Sequence, residues 1–204
     1  MDNYLLQAKQ AREAFLGYDQ EALIRKCGLA SDEDYLYVTL MGQDHRIHRR
    51  TGDISYREEG VWRDGNTHPR VMTLLDLVCD SREDRHLSGR KKNMQAFGLQ
   101  FHQNLLEDQR DPMALAIQDR PEAFRRACEA LEGRPCPTGD ICCEIPLFED
   151  LAVTVQFWLG DEEFAPRLRY LWDENALQYL KYETMYFAVD LLMQRIADCM
   201  KKSR

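Results

Sequence analysis

The segment that most constrains this chain is Leu151 to Leu159 (LAVTVQFWL), which carries no charge and sets Val153, Val155, Phe157 and Leu159 at alternate positions. Successive strand side chains point to opposite faces, so at least one face of this strand must be covered. Gly160 to Pro166 (GDEEFAP) supplies a turn, and Leu168, Tyr170 and Trp172 alternate with Arg167 and Arg169, which predicts a returning strand paired as a hairpin. Asp173 then stands where a helix N-cap is needed. Leu177, Leu180, Thr184, Phe187 and Leu191, broadened by Ala188, Leu192 and Ile196, form the stripe of a long helix.

Upstream, Tyr4, Ala8, Ala11, Phe15 and Tyr18 recur at steps of four and three, the spacing of a helix face. Asp19 can cap a second helix that ends before Gly28. Tyr35–Leu40, Arg46–Arg49 and Ile54–Arg57 read as a three-stranded meander, separated by turn residues at Met41–Asp44 and Thr51–Asp53. Pro69 opens a helix with Val71, Leu74, Leu75 and Val78 on one face, and Asp80 to Gln95 reads as a long polar loop. A further helix from Pro121 buries Phe124, Ala127, Cys128 and Leu131 and stops at Gly133, after which Arg134 to Gly139 is a connector. The expectation is an α+β fold, a small antiparallel sheet (N-terminal meander plus C-terminal hairpin) packed with several helices. Residues 1–204 form a single domain in this reading, with 1–28 as an N-terminal helical segment.

A formal net charge of −8 argues against general affinity for nucleic acid or for anionic membrane surfaces. The amino terminus lacks a basic region followed by an apolar one, and no apolar run is long enough to span a bilayer, so the expected location is cytoplasmic. The seven cysteines are an odd number, several in apolar periodic stretches, and are expected as free thiols.

The run Trp158-Leu159-Gly160-Asp161-Glu162-Glu163-Phe164, followed by Leu171-Trp172-Asp173, Tyr179-Leu180 and Glu183, resembles a bacterial family common in anaerobes and known only as domain of unknown function 3786. Leu40 and Gly42, Thr51-Gly52 and Leu87-Ser88-Gly89 are similar to weaker family features, extending the likeness over about 35–200. Ala165 and Thr184 depart from it, where the family has Pro and Asp. The resemblance implies no activity and no catalytic residues. Some members carry an iron–sulfur-binding domain of the kind found in corrinoid and one-carbon enzymes, so the resemblance implies anaerobic redox surroundings; no counterpart of that domain is read in this chain.

Two charged segments are candidate sites. Arg82, Arg85, His86, Arg90, Lys91 and Lys92 concentrate positive charge in a loop with Ser88 and Gly89, where Arg forks and backbone N–H groups could cradle an anion. The ligand-binding set is Arg82, Arg85, Ser88, Gly89, Arg90 and Lys91. The carboxylates of Asp161, Glu162 and Glu163 repel one another unless compensated, which suggests a hard metal with Asp173 and Glu183 as further donors. The alternative is a solvated turn neutralised by Arg167 and Arg169. Cys128, Cys136, Cys142 and Cys143 lack a Cys-x-x-Cys pair, and the neighbours Cys142 and Cys143 would face opposite sides of a strand. His45 and His48, three apart on a strand, likewise cannot share a metal. The leading expectation is a non-catalytic binding or accessory protein for an anionic ligand, a cofactor of unknown identity, or a protein partner. A metal-dependent, hydrolase-like enzyme built on Asp161–Glu163 and a homodimer paired through the C-terminal helix are the alternatives.

Overall fold

A computed structural model describes residues 3–98 and 111–202. It has the α+β class expected, with two antiparallel sheets of five strands each. The chain divides into two compact units, Met1–His86 with Leu177–Ala188 and Leu87–Ala176 with Val189–Arg204. The meander and the hairpin seed one sheet each.

The first unit opens with α1 (Asn3–Phe15) and α2 (Gln20–Cys27). Asp19 accepts the N–H of Ala22 at the start of α2, and Gly28 closes it at φ +59°, a left-handed conformation that costs a residue without Cβ nothing. The sheet follows in chain order as β1 (Ala30–Ser31), β2 (Tyr35–Leu40), β3 (Gln43–His48), β4 (Ile54–Glu58) and β5 (Val61–Asp64). Its inward face is Leu36, Val38, Leu40, Ile47 and Ile54, all buried. On the outward face the guanidinium of Arg46 lies over the rings of Tyr35 and Trp62, at 4.1 and 4.4 Å. After β5, α3 (His68–Leu75) has Pro69 in its first turn and packs along α1. It continues as a wider π turn, Asp76–Asp80.

The second unit contains β6 (Lys91–Asn93), α4 (Pro112–Asp119), α5 (Pro121–Ala130), β7 (Arg134–Pro135), β8 (Ile141–Phe148), β9 (Leu151–Trp158) and β10 (Arg167–Asp173), in the strand order β6-β10-β9-β8-β7. The hairpin register pairs Arg167 with Trp158 and Trp172 with Val153. Val153, Val155 and Phe157 are fully buried, and the ring of Phe157 meets Phe124 of α5 at 6.1 Å. Burying such a face stabilises by about 1.5–3 kcal/mol per large apolar side chain.

Three local expectations change. Leu159, assigned to the buried face, is 46% exposed because the strand ends at Trp158 and the chain turns away. Asp173 does not cap the long helix: α6 (Tyr182–Lys202) starts nine residues later, after a short 3-10 turn at Ala176–Gln178. The backbone N–H of Lys181, just ahead of α6, is instead accepted by Asp76. The long loop ends earlier than expected, since Lys91–Asn93 adds to the edge of β10. The apolar stripe of α6 (Ala188, Leu191, Leu192, Ile196) is buried within the chain.

Candidate functional site

The acidic turn is built by its first carboxylate. Asp161 Oδ1 accepts the N–H groups of Phe164 (2.8 Å) and Glu163 (2.9 Å), and the Asp161 N–H donates to Phe164 O (2.9 Å). Those N–H groups, Phe164 first, hold the Asp161 carboxyl below its ordinary range. Gly160 is clamped by Gln118 of α4, whose amide accepts its N–H (2.9 Å) and donates to its carbonyl (3.3 Å). A Cβ on Gly160 would come within 2.8 Å of Phe164 O and 2.7 Å of Pro166, so the turn folds tightly on itself. Its apex presents Glu162, Glu163 and Phe164 to solvent, the last 69% exposed. Leu159, next to Gly160, and Leu115, one helical turn before Gln118, are each 46% exposed. Arg169 lies over the ring of Trp158 (5.7 Å) and does not reach for the carboxylates.

The other proposed metal donors do not gather at this turn within its unit. Asp173 ends β10 and faces the Ser88–Gly89 loop, while Glu183 belongs to the first unit, in the first turn of α6. Among the described residues no group of three or more His, Cys, Asp or Glu could hold a metal ion. His45 is buried on the inner face of β3 and His48 lies on the outer one, as their spacing requires.

The basic loop does hold an anion, and that anion belongs to the chain. Asp173 accepts the N–H groups of Ser88 (2.9 Å) and Gly89 (2.8 Å) as well as that of Asn175 (2.8 Å). Although burial opposes it, these donors keep its carboxyl below the usual carboxylate range. Lys92 (2.5 Å) and Arg90 both pair with Glu174, which lowers that carboxyl too. Lys91 pairs with Glu144 (2.6 Å). In the first unit Arg82 forks onto Asp84, while Arg85 donates to the carbonyls of Arg82 and Lys26. The loop's basic side chains and its N–H cradle thus have internal partners.

The cysteines divide. Cys27, Cys79, Cys128, Cys143 and Cys199 stand outside any disulfide as thiols, but Cys136 and Cys142 form a disulfide, which corrects the expectation of thiols throughout. The cause is register: β7 pairs with β8, and the Cys136 N–H donates to Cys142 O (3.0 Å), setting the two Cα atoms 5.0 Å apart. Cys143 points to the opposite face, against Cys128 of α5, and that contact together with burial pushes the Cys128 thiol up.

One polar cluster escaped sequence reasoning. In the first unit, Lys181 bonds to Asp80 and pairs with the buried Asp76 (3.2 Å), and the Tyr18 hydroxyl donates to Asp80 (2.5 Å). Lys26 donates to the carbonyls of Cys79 and Ser81, both at 2.9 Å, where the π turn frees acceptors. Hydrogen bonding to Asp80, then burial, raises Tyr18 to about 12; burial, then Asp80, raises Cys79 to about 12. Asp80 is lowered, its bonds from Lys181 and Tyr18 outweighing burial, and Lys181 is raised. The signal was in the sequence: Asp76 interrupts an otherwise apolar run from Leu74 to Cys79.

Compared with known families, residues 19–195 match the family model described as Domain of unknown function (DUF3786). No curated protein and no solved structure matches. No helix among the described residues is long and apolar enough to cross a membrane.

Proposed function

The chain therefore belongs to the DUF3786 family, and from that membership, which carries no activity, we propose that it is a non-catalytic binding module that docks a protein partner on its Asp161–Pro166 turn. The observation that carries this reading is Phe164, a large aromatic 69% exposed at the apex of a turn whose backbone Asp161 fixes. An exposed aromatic on a pre-ordered loop is the kind of group that anchors an interface, since ordering it on binding costs little. Glu162 and Glu163 beside it select a partner surface with Lys or Arg around an apolar pocket.

The non-catalytic part is supported by the direction in which the groups of the two charged clusters move. Tyr18, Cys79 and Lys181 are shifted up and Asp80 and Asp173 down, each further from neutrality, whereas an acid or base catalyst is tuned toward it. An external anion on the Arg82–Lys92 loop would have to displace Asp173 and Glu174 from the donors they occupy, so a protein partner is the favoured ligand class. The setting we propose is the cytoplasm of an anaerobic bacterium.

The test is selection of a displayed library of short random peptides against the purified protein. Recovered peptides are expected to be rich in Lys, Arg and apolar residues and to lose at least about tenfold in affinity, ~1.4 kcal/mol, on Phe164→Ala. Glu162→Gln with Glu163→Gln should weaken the same peptides and flatten their salt dependence. Recovery of no such peptides, or of peptides indifferent to Phe164→Ala in a protein of unchanged circular dichroism, would overturn the reading.

A further inference from the structure

The disulfide and the docking turn share one hydrogen-bonded path. Cys136 and Cys142 close a loop of Pro137, Thr138, Gly139, Asp140 and Ile141. Gly139 has φ +73°, and a Cβ there would come within 2.7 Å of Phe157 O, so the loop is pressed against the end of β9. Asp140 fastens it: its N–H donates to Phe157 O (2.9 Å), its Oδ2 accepts the N–H of Leu159 (2.8 Å), and its carbonyl accepts Arg125 Nη2 (3.0 Å). Leu159 leads directly into Gly160 and the turn that carries Phe164. All of these residues lie in one unit.

The thiol inventory is mixed. Cys128 and Cys143 are buried in contact and remain thiols, while the disulfide has Cys136 half-buried in an exposed loop. In the cytoplasm proposed above, where thiols are kept reduced, the disulfides that do form are characteristically transient or redox-sensing.

We propose that Cys136–Cys142 is a reversible dithiol–disulfide switch that sets the order of the Asp161–Pro166 turn and thereby gates docking; this rests on the docking reading above. A dithiol reductant supplies the electrons. One of its thiolates attacks Cys136 Sγ, the more open sulfur, breaking the S–S bond and releasing Cys142 as a thiolate that takes up a proton. The second reductant thiol then displaces Cys136, which leaves as a thiol, and the reductant departs as a disulfide. The protein gains two electrons and two protons, and a disulfide oxidant reverses the exchange. With the loop opened, Asp140 is no longer held against Leu159, and the turn loses its support on that side.

Amide hydrogen exchange on the whole chain, oxidised and then reduced with dithiothreitol, reads the switch without any partner. The amides of Leu159, Glu163 and Phe164 are expected to exchange about tenfold faster or more after reduction, while those of β2 and β3 stay unchanged. Asp140→Ala, with the disulfide intact by thiol trapping, should reproduce the acceleration; Cys136→Ser with Cys142→Ser should lock it. Unchanged exchange at these amides on reduction overturns the switch, as does a disulfide that fails to form in an oxidising glutathione buffer. Turn amides that respond while peptides ignore Phe164→Ala would leave the loop coupling standing and refute docking alone, so the two failures are told apart.

Discussion

Replacing Asp173 with Ala removes one acceptor from three backbone donors at once. The residue is 3% exposed and receives the N–H groups of Ser88, Gly89 and Asn175 at 2.9, 2.8 and 2.8 Å. Hydrogen bonds to a charged group contribute about 1.5–3 kcal/mol each, a gross loss of about 5–9 kcal/mol. Gly89 is exposed and Asn175 is a sequence neighbour, so water and local relaxation recover part, and a net cost of about 3 kcal/mol is expected. Asn at this position keeps one acceptor oxygen but turns an NH2 toward the remaining donors, for a cost of about 1–2 kcal/mol. The pH dependence has a definite sign. A carboxyl held below its reference of 3.8 adds stability above that value and loses it as pH falls through the folded pKa. The advantage of the natural protein over Asp173→Asn should therefore be flat near neutrality and shrink below about pH 4. Urea unfolding followed by tryptophan fluorescence suits the measurement, because Trp172 is buried next to the substitution. In Asp173→Gly, added acetate or phosphate should recover stability by occupying the emptied N–H groups. A loss under about 0.5 kcal/mol for Asp173→Ala, the size of an ordinary surface change, would refute the cradle as a stabilising element.

Other outcomes follow from the same structure. Lys181→Met leaves Asp76 and Asp80 without the ion-pair partner they share, and with Lys181 itself largely exposed a destabilisation of about 2 kcal/mol is expected in chemical denaturation. Tyr18 is raised from 10.0 to about 12, so its contribution is complete below its unfolded pKa and lost as pH rises through the folded one. In an ultraviolet titration the absorbance rise near pH 12 should lose one tyrosine's share in Tyr18→Phe, while those of Tyr37, Tyr170 and Tyr186, which are also raised, remain. Gly139→Ala combines a left-handed φ of +73° with a 2.7 Å contact on Phe157 O; it should cost about 1–3 kcal/mol and speed exchange at Leu159, as reduction does. An unaltered midpoint for this variant would show that the loop is not tightly seated on β9.

The local grammar of this chain was readable from residue order. Alternation at Val153, Val155 and Phe157, the paired signals of Asp19 and Gly28, and the turn at Gly160 to Pro166 each act over a few residues, where sterics and backbone hydrogen bonding decide. So did the opposed faces of Cys142 and Cys143, which follow from the strand period alone. Strands of two to four residues such as β1, β5, β6 and β7 were not readable, because so short a stretch has no periodicity and exists only through its neighbour in the sheet.

What tertiary structure alone decided is which charge meets which. The order of residues set out a basic loop and an acidic turn as two candidate sites. Only folding brought Asp173 to the Ser88 and Gly89 amides, and Lys181 between Asp76 and Asp80, across separations of 84 to 105 residues. It likewise set Cys136 opposite Cys142 and left Phe164 in solvent. Electrostatic partners and exposure depend on distances between segments far apart in the chain, which local propensity does not encode. The acidic hairpin was therefore legible as a shape from sequence, while its one exposed aromatic, and the disulfide loop that supports it, became legible only once the sheet was assembled.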